Sequence, residues 1–344
     1  MTANSENTSV IHSVTVYNSR LRVINAFNAN VKNSFANNVL SGLLTVPKFL
    51  SPKYFYDVIG SDLFEKICTT PEYYVTRTET SILQKCSNDI ARINSDKKVM
   101  VELGSGSSIK TKYLLKSFLD IKHQFEYVPI DVSEIMISGS IVLLDEFEGL
   151  KVSGILSEYE AGLDAAGTFI NDPKIIVFLG SSIGNFNMHD AEAFIKHIAC
   201  IMHENDSLLI GFDLVKDMDV LNAAYNDKQG YTAAFNLNQL TRINSELGGE
   251  FDIKKFDHKA FFNSAESRIE MHLESLVEQD VCIHGLEKSV HFRKGETIHT
   301  ENSYKFTDEM INSLAAHAGL NVSDIWKDDS NYFALCLMKK GESS

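Results

Sequence analysis

Residues 99–108 read Val-Met-Val-Glu-Leu-Gly-Ser-Gly-Ser-Ser, a short apolar run with one acid near its end. Gly104-Ser105-Gly106 then makes a tight turn, and the run Ile109 to Leu119 follows as a helix. Strand, glycine turn and helix together form the ligand-binding start of a doubly wound sheet. Glycines there let the backbone approach a ligand closely, because no Cβ intervenes. The third glycine of a dinucleotide fingerprint is missing, since Ser107, Ser108 and Ile109 follow Gly106. A ligand without a pyrophosphate fits this turn, as does a bare turn that binds nothing.

Strand-E-x-G-x-G resembles the start of methyltransferases that bind S-adenosylmethionine, whose cofactor needs no helix-dipole phosphate site. Ligands of such sheets sit at the carboxyl ends of the strands, and more polar residues fall there. Asp131 ends the second strand, where an acid can accept both hydroxyls of a ribose. Glu158 and Tyr159 follow the third, in a place suited to adenine, and Ser181, Ser182 and Asn185 follow the fourth. One polar strand end is an ordinary helix cap, whereas four suitable ends in one sheet favour a site. Methyl transfer asks for a neutral nucleophile held in line with the methyl group, so alignment supplies much of the rate. The electrophile belongs to the cofactor, and a strong base is optional. Tyr54, Tyr56 and the loop Pro71 to Thr76 could wall such a site, although single tyrosines more often pack half-buried. Glu301 and Ser303 alternate on a short polar strand and face one side together.

The elements that position these groups follow from the pattern. Strand 99–103, helix 109–119, strand 125–130, helix 134–147, strand 152–156, strand 175–179, helix 189–203 and strand 207–212 alternate, which predicts a largely parallel sheet with right-handed crossovers. Upstream, Ser61 or Asp62 is expected to cap a short helix, and a tyrosine loop over 70–79 to lead into a helix from Thr80 to Ile93. Residues 217–247 read as helices, and 260–262, 268–279 and 288–292 as antiparallel strands. Helix 307–318 and a hairpin of 322–327 with 332–338 close the chain. Ordered structure is expected to start near Phe35, with partial disorder at the extreme amino-terminal end.

With 344 residues the chain can bury a large core, and two domains are expected. Its net charge of −14 argues against a nucleic-acid or anionic-membrane partner. Cys68, Cys86, Cys200, Cys282 and Cys336 form no CxxC, which fits a reduced, cytoplasmic setting. The histidines show no HExxH or paired-ligand spacing, so no metal is expected. No apolar run approaches the ~20 residues needed to span a bilayer, and no signal-peptide pattern opens the chain.

From about Val46 to Met338 the chain resembles the histidine Nα-methyltransferases of ergothioneine biosynthesis. The likeness is carried by Tyr56-Asp57 with Gly60 to Phe64, by Pro71 to Tyr74 with Thr76-Arg77, by Glu102 to Gly106, and by Tyr127 to Pro129 with Asp131 to Ser133. It continues in Gly180-Ser181 with Ile183 to Asn185, Asp213 to Asp217, Ala224-Tyr225, Thr232 to Asn236, Ile269 to Met271, and Thr300-Glu301 with Ser303.

The resemblance implies an α/β fold: a Rossmann-like class I methyltransferase domain with a second, substrate-binding α+β domain. Residues 78–214 would form the methyltransferase core, completed by 306–344, with the substrate domain drawn from 1–77 and 215–305. It implies that Asn185 and Tyr225 hold the substrate carboxylate, that Tyr56 and Tyr73 line the pocket near the amine, and that Glu301 and Ser303 bond the imidazole with Met271 beside it. S-adenosylmethionine would lie on Gly104, Ser105, Gly106, Lys110, Asp131 and Ser181, with Phe64 nearby. Glu158-Tyr159 stands where the family has Asp-Phe at the adenine. Tyr56 is the candidate catalytic residue, and no general base is assigned. The implied partner is a small amino acid, the implied state a monomer. A same-fold enzyme for tryptophan or another amine, and a non-catalytic S-adenosylmethionine-binding protein, are the alternatives. An indole offers one donor only, whereas a neutral imidazole offers a donor and an acceptor, which favours histidine.

Overall fold

The computed structural model describes residues 11–27 and 31–341. The chain begins with β1 (Ser13–Val16), β2 (Leu21–Asn25), α1 (Val31–Leu44), β3 (Lys48–Phe49), α2 (Val58–Thr69) and α3 (Val75–Ile93). The alternating part is β4 (Val99–Leu103), α4 (Lys112–Lys122), β5 (Phe125–Asp131), α5 (Ile135–Glu146), β6 (Leu150–Leu156), α6 (Tyr159–Gly167), β7 (Lys174–Phe178), α7 (Met188–Ile201) and β8 (Ser207–Asp213). Then come α8 (Met218–Ala224), α9 (Tyr231–Leu247), β9 (Phe256–Asn263), β10 (Arg268–Ser275), β11 (Gln279–Ile283), β12 (Lys288–Phe292), β13 (Thr297–Tyr304), α10 (Asp308–His317), β14 (Leu320–Lys327) and β15 (Phe333–Lys340).

The large sheet has nine strands in the order β1-β2-β6-β5-β4-β7-β8-β15-β14. Strands β2, β6, β5, β4, β7 and β8 run parallel, and β15 returns antiparallel between β8 and β14. Strand β4 lies between β5 and β7, so the chain leaves it first to one side and later to the other. That reversal opens a crevice at the carboxyl ends, where doubly wound sheets bind ligands. Parallel strands buried on both faces need apolar residues throughout, and β4 and β8 are buried along their whole length. Met100 and Tyr127 face the core formed with α3 and α4, through Ile82, Leu83, Leu114 and Phe118. Val101 and Val128 face the other core, with Leu163, Phe194 and Ile311 from α6, α7 and α10. This is a Rossmann-like, doubly wound α/β architecture with an antiparallel hairpin at one edge.

A smaller sheet, β3-β13-β10-β9, packs under α1 and α9 around Phe35, Leu43, Leu240, Ile243, Phe256 and Ile298. The two sheets meet where Leu214 bridges Phe306: the Phe306 amide donates to the Asp213 carbonyl at 2.9 Å, and the Val215 amide to the Phe306 carbonyl at 3.0 Å.

Several expectations are corrected. Order begins before Phe35, because β2 joins the large sheet beside β6, with β1 outside it. Residues 13–25 thus belong with the large sheet and not with the smaller one. The disorder expected at the extreme end falls outside the described residues. The cap of α2 is Asp57, whose carboxylate accepts from the Gly60 amide at 2.7 Å, and neither Ser61 nor Asp62. Helix α3 starts at Val75 and not at Thr80, absorbing part of the tyrosine loop. Helix α4 starts three residues later than expected, at Lys112.

Candidate active site

The turn after β4 needs its glycines. Gly104 has φ +69° and Gly106 φ +49°, the left-handed region. A Cβ on Gly104 would lie 2.8 Å from the Tyr159 hydroxyl, while Gly106 faces open space. Asp131, at the end of β5, ties this turn down by accepting from the Gly106 and Ser133 amides, each at 2.8 Å. Burial pushes the Asp131 carboxyl up against the pull of those amides. Behind the turn, Glu102 accepts from Thr111 Oγ1 at 2.5 Å and from the Tyr127 hydroxyl, and burial raises it to about 7.

Across the crevice, the chain leaves β7 through Gly180 (φ +76°) and Ser181 (φ 55°). The Cβ position of Gly180 lies 3.5 Å from Lys110 Nζ. Glu79, wholly buried on α3, pairs with Lys110 and accepts from the Gly180 amide at 2.7 Å. It shares the buried stripe of α3 with Val75, Ile82, Leu83 and Ile90, and an acid on such a stripe is the signal that sequence reading passed over. Open space at Gly106, a buried acid at Asp131 and an amine at Lys110 fit a nucleoside that carries an amino-acid arm. Ser105 is buried in the turn. Ser181 Oγ accepts from the Asp213 amide at 2.9 Å. The Glu158 carboxylate meets Lys53 Nζ at 2.8 Å at the surface, while Tyr159 packs on Phe178 and Phe194.

Facing this cradle is an aromatic cluster. Tyr56 stands edge-on to Phe64 and to Phe235, both with centroids 5.6 Å away, and Tyr73 edge-on to Phe64 at 6.1 Å and to Tyr225 at 6.2 Å. Burial, reinforced by nearby charge including that of Glu301, holds the Tyr56 phenol well above its usual range. Tyr73 is raised likewise, first by burial. Both phenols therefore stay protonated at neutral pH.

Strands β10 and β13 supply the polar end. Met271 stands opposite Glu301 and Ile269 opposite Ser303. Tyr225 donates to Ser303 Oγ at 2.7 Å. Among the described residues none donates to the Glu301 carboxylate, and burial, partly offset by Lys305, raises it to about 7. Asn185 ends the short turn 182–185, and Gly184 lets that turn press on β13: a Cβ there would lie 3.0 Å from the Tyr304 carbonyl oxygen.

Sequence reading missed the charges packed against Ser303 and Tyr225. Lys305, with no exposed surface, reaches Asp213 Oδ2 at 2.8 Å, Ser303 Oγ at 2.7 Å and the Tyr225 hydroxyl at 3.2 Å. Asp213 also accepts from Tyr74 (2.8 and 2.9 Å) and Lys216 (2.5 Å). Burial pulls the Lys305 ammonium down, but Asp213 and Tyr225 together more than offset it and keep it above its usual range.

On β10 and β13, Glu270, His272 and His299 bring three potential metal ligands together. Glu270 is already held by Arg268 at 2.7 Å, and the two imidazoles stack with planes 17° apart. His272 Nε2 lies 3.1 Å from Glu270 Oε2 and His299 Nε2 3.0 Å from the Glu301 carbonyl oxygen, so both nitrogens have partners within the protein.

A family model described as histidine-specific methyltransferase, SAM-dependent, matches residues 35–340. The histidine N-alpha-methyltransferase of Mycolicibacterium smegmatis is 40% identical over 302 residues, covering 87% of this chain and 93% of that protein. Ergothioneine biosynthesis protein 1 of Neurospora crassa is 31% identical over 87% of this chain, which spans 34% of that longer protein. The 4-dimethylallyltryptophan N-methyltransferase of Claviceps purpurea is 24% identical over 93% of this chain and 98% of its own length.

Proposed function

The chain belongs to the family of histidine-specific, S-adenosylmethionine-dependent methyltransferases, and from that premise we propose that it methylates the α-amine of L-histidine three times, giving the betaine hercynine. It is an S-adenosylmethionine-dependent N-methyltransferase. Its product is the trimethylated amino acid of ergothioneine biosynthesis. The Glu301 carboxylate, without a donor among the described residues, stands opposite Met271 on β10 and two positions from Ser303 on β13; these three form the floor of the proposed substrate recess and carry the choice of histidine. A half-buried acceptor without a donor is well placed to meet a ligand N–H, and a neutral imidazole brings one.

The bound cofactor supplies a methyl group on a sulfonium. Asp131 accepts from its ribose, Lys110 meets its carboxylate, and Gly104, Ser105, Gly106 and Ser181 admit its body, with Phe64 alongside. Glu158 and Tyr159 lie toward the adenine. Asn185 and Tyr225 stand at the substrate carboxylate. Tyr56 and Tyr73 close the amine end and exclude water there. Because both phenols stay protonated, they orient the amine by hydrogen bonding and do not deprotonate it. Their ring faces suit the cation that forms as methyl groups accumulate. The amine must enter each cycle neutral, and an apolar, aromatic wall favours that form.

The substrate lobe is the smaller sheet with α1, α2, α8 and α9, and the protein works as a cytoplasmic monomer. Among the described residues no helix is long and apolar enough to cross a membrane.

Mass spectrometry of the purified protein with L-histidine and S-adenosylmethionine tests the proposal. Additions of one, two and three methyl groups to histidine are expected. Methylation of tryptophan in place of histidine overturns the substrate and keeps the reaction, and binding without turnover of any amine overturns both.

A further inference from the structure

Resting on histidine as the substrate, we infer that Lys305 is a positioning residue that fixes Ser303 as a hydrogen-bond donor toward the substrate ring, so that the recess accepts a ring nitrogen bearing a lone pair beside one bearing a hydrogen.

The inference follows from counting protons. An ammonium has three N–H groups and no lone pair. Those of Lys305 point to Asp213 Oδ2, Ser303 Oγ and the Tyr225 hydroxyl, at 2.8, 2.7 and 3.2 Å. Both hydroxyl oxygens must therefore accept from Lys305. Tyr225 gives its single proton to Ser303 at 2.7 Å. Ser303 Oγ now accepts twice, and its own proton has no acceptor among the described residues. Two strand positions away on the same floor, the Glu301 carboxylate has no donor. The floor thus offers one directed donor and one bare acceptor, the complement of a neutral imidazole. With its one proton given to Ser303, the Tyr225 hydroxyl has none left for the substrate carboxylate, and Asn185 is the donor there.

Without Lys305 the two hydroxyls could turn freely, and Ser303 could accept as well as donate. Lys305→Met removes all three donors at similar length. The test compares kcat/KM for histidine with that for the better of the two pyrrolylalanines, which keep one ring N–H and lack the acceptor nitrogen. The native enzyme is expected to prefer histidine by about 10- to 100-fold, the cost of leaving the Ser303 proton unmet. Lys305→Met is expected to cut that preference by about tenfold or more. In a Ser303→Ala background the same substitution should cut it no further, which a general structural role would not predict. Should Lys305→Met fail to bind S-adenosylhomocysteine, Lys305→Leu, which also lacks any donor, gives the same comparison, and Ser303→Ala alone should erase the preference. Histidine methylated with its preference intact in these variants overturns the role of Lys305. No methylation of histidine by the native enzyme overturns the substrate reading instead.

Discussion

Glu79 and Lys110 form an ion pair across the mouth of the sheet, and the same carboxylate holds the Gly180 amide at 2.7 Å. One side chain of α3 therefore fixes the turns on both sides of the crevice. Glu79→Gln leaves the Lys110 ammonium without its counter-charge. A loss of about 3 kcal/mol is expected in urea unfolding. Lys110→Met should in addition weaken S-adenosylhomocysteine about tenfold by calorimetry, through loss of the partner for its carboxylate.

Asp131 accepts from the amides of Gly106 and Ser133 and is the proposed acceptor for the cofactor's ribose. Asp131→Ala removes both sets of bonds. The dissociation constant for S-adenosylhomocysteine should rise about 10- to 100-fold, in line with lost hydrogen bonds to a charged acceptor. An unchanged constant would remove Asp131 from the cofactor site.

Glu301 carries a pH signature. Its carboxyl is raised to about 7 from an ordinary value near 4.5. The folded protein therefore holds a proton that the unfolded chain has released, and stability falls as pH rises from about 4.5 through 7. Glu301→Gln should melt above the native enzyme at pH 8 and level with it at pH 4. In kinetics, the acid limb of log kcat/KM for histidine should lose one unit of slope in Glu301→Gln, because one ionisation has gone. A limb of unchanged slope would take Glu301 out of contact with the ring.

Gly104 is constrained twice, by φ +69° and by the Tyr159 hydroxyl 2.8 Å from where a Cβ would stand. Gly104→Ala is expected to cost about 2 kcal/mol or more in thermal unfolding. Adding Tyr159→Phe removes the hydroxyl and should restore part of that. The backbone share, about 1 kcal/mol, should remain.

The methyltransferase half was legible because its signals are local. A run of apolar residues before Gly104-Ser105-Gly106 has few readings, and alternating segments dictate a parallel sheet. The place of Asp131 at the carboxyl end of a strand follows from that, whereas the order of the strands in the sheet does not. Boundaries were less legible where local signals conflict. Asp57 caps α2 ahead of the exposed Val58 and Ile59, while Ser61 and Asp62 offer equally good cap chemistry one turn later. Strand β2 hides in an Asn- and Ser-rich stretch, its burial coming from β6, far along the chain. The floor of the recess was the least legible part. Nothing near Lys305 in sequence marks it as buried, because its charge is matched by Asp213 across the junction of the two sheets. Glu301 and Ser303 could be placed on one strand face, but their hydrogen-bond directions depend on that distant pair.

The two amino-terminal strands bear on how this protein can be shortened. Strand β6 is apolar and buried along nearly all of its length, and β2 covers its outer edge. The span matched by the family model starts at residue 35, after both strands. A chain trimmed to that span would keep every proposed ligand contact and yet bare a flat, apolar strand edge, an open invitation to edge-to-edge aggregation. The amino-terminal strands act as a guard rail for solubility, and a purification tag is better joined ahead of them than put in their place.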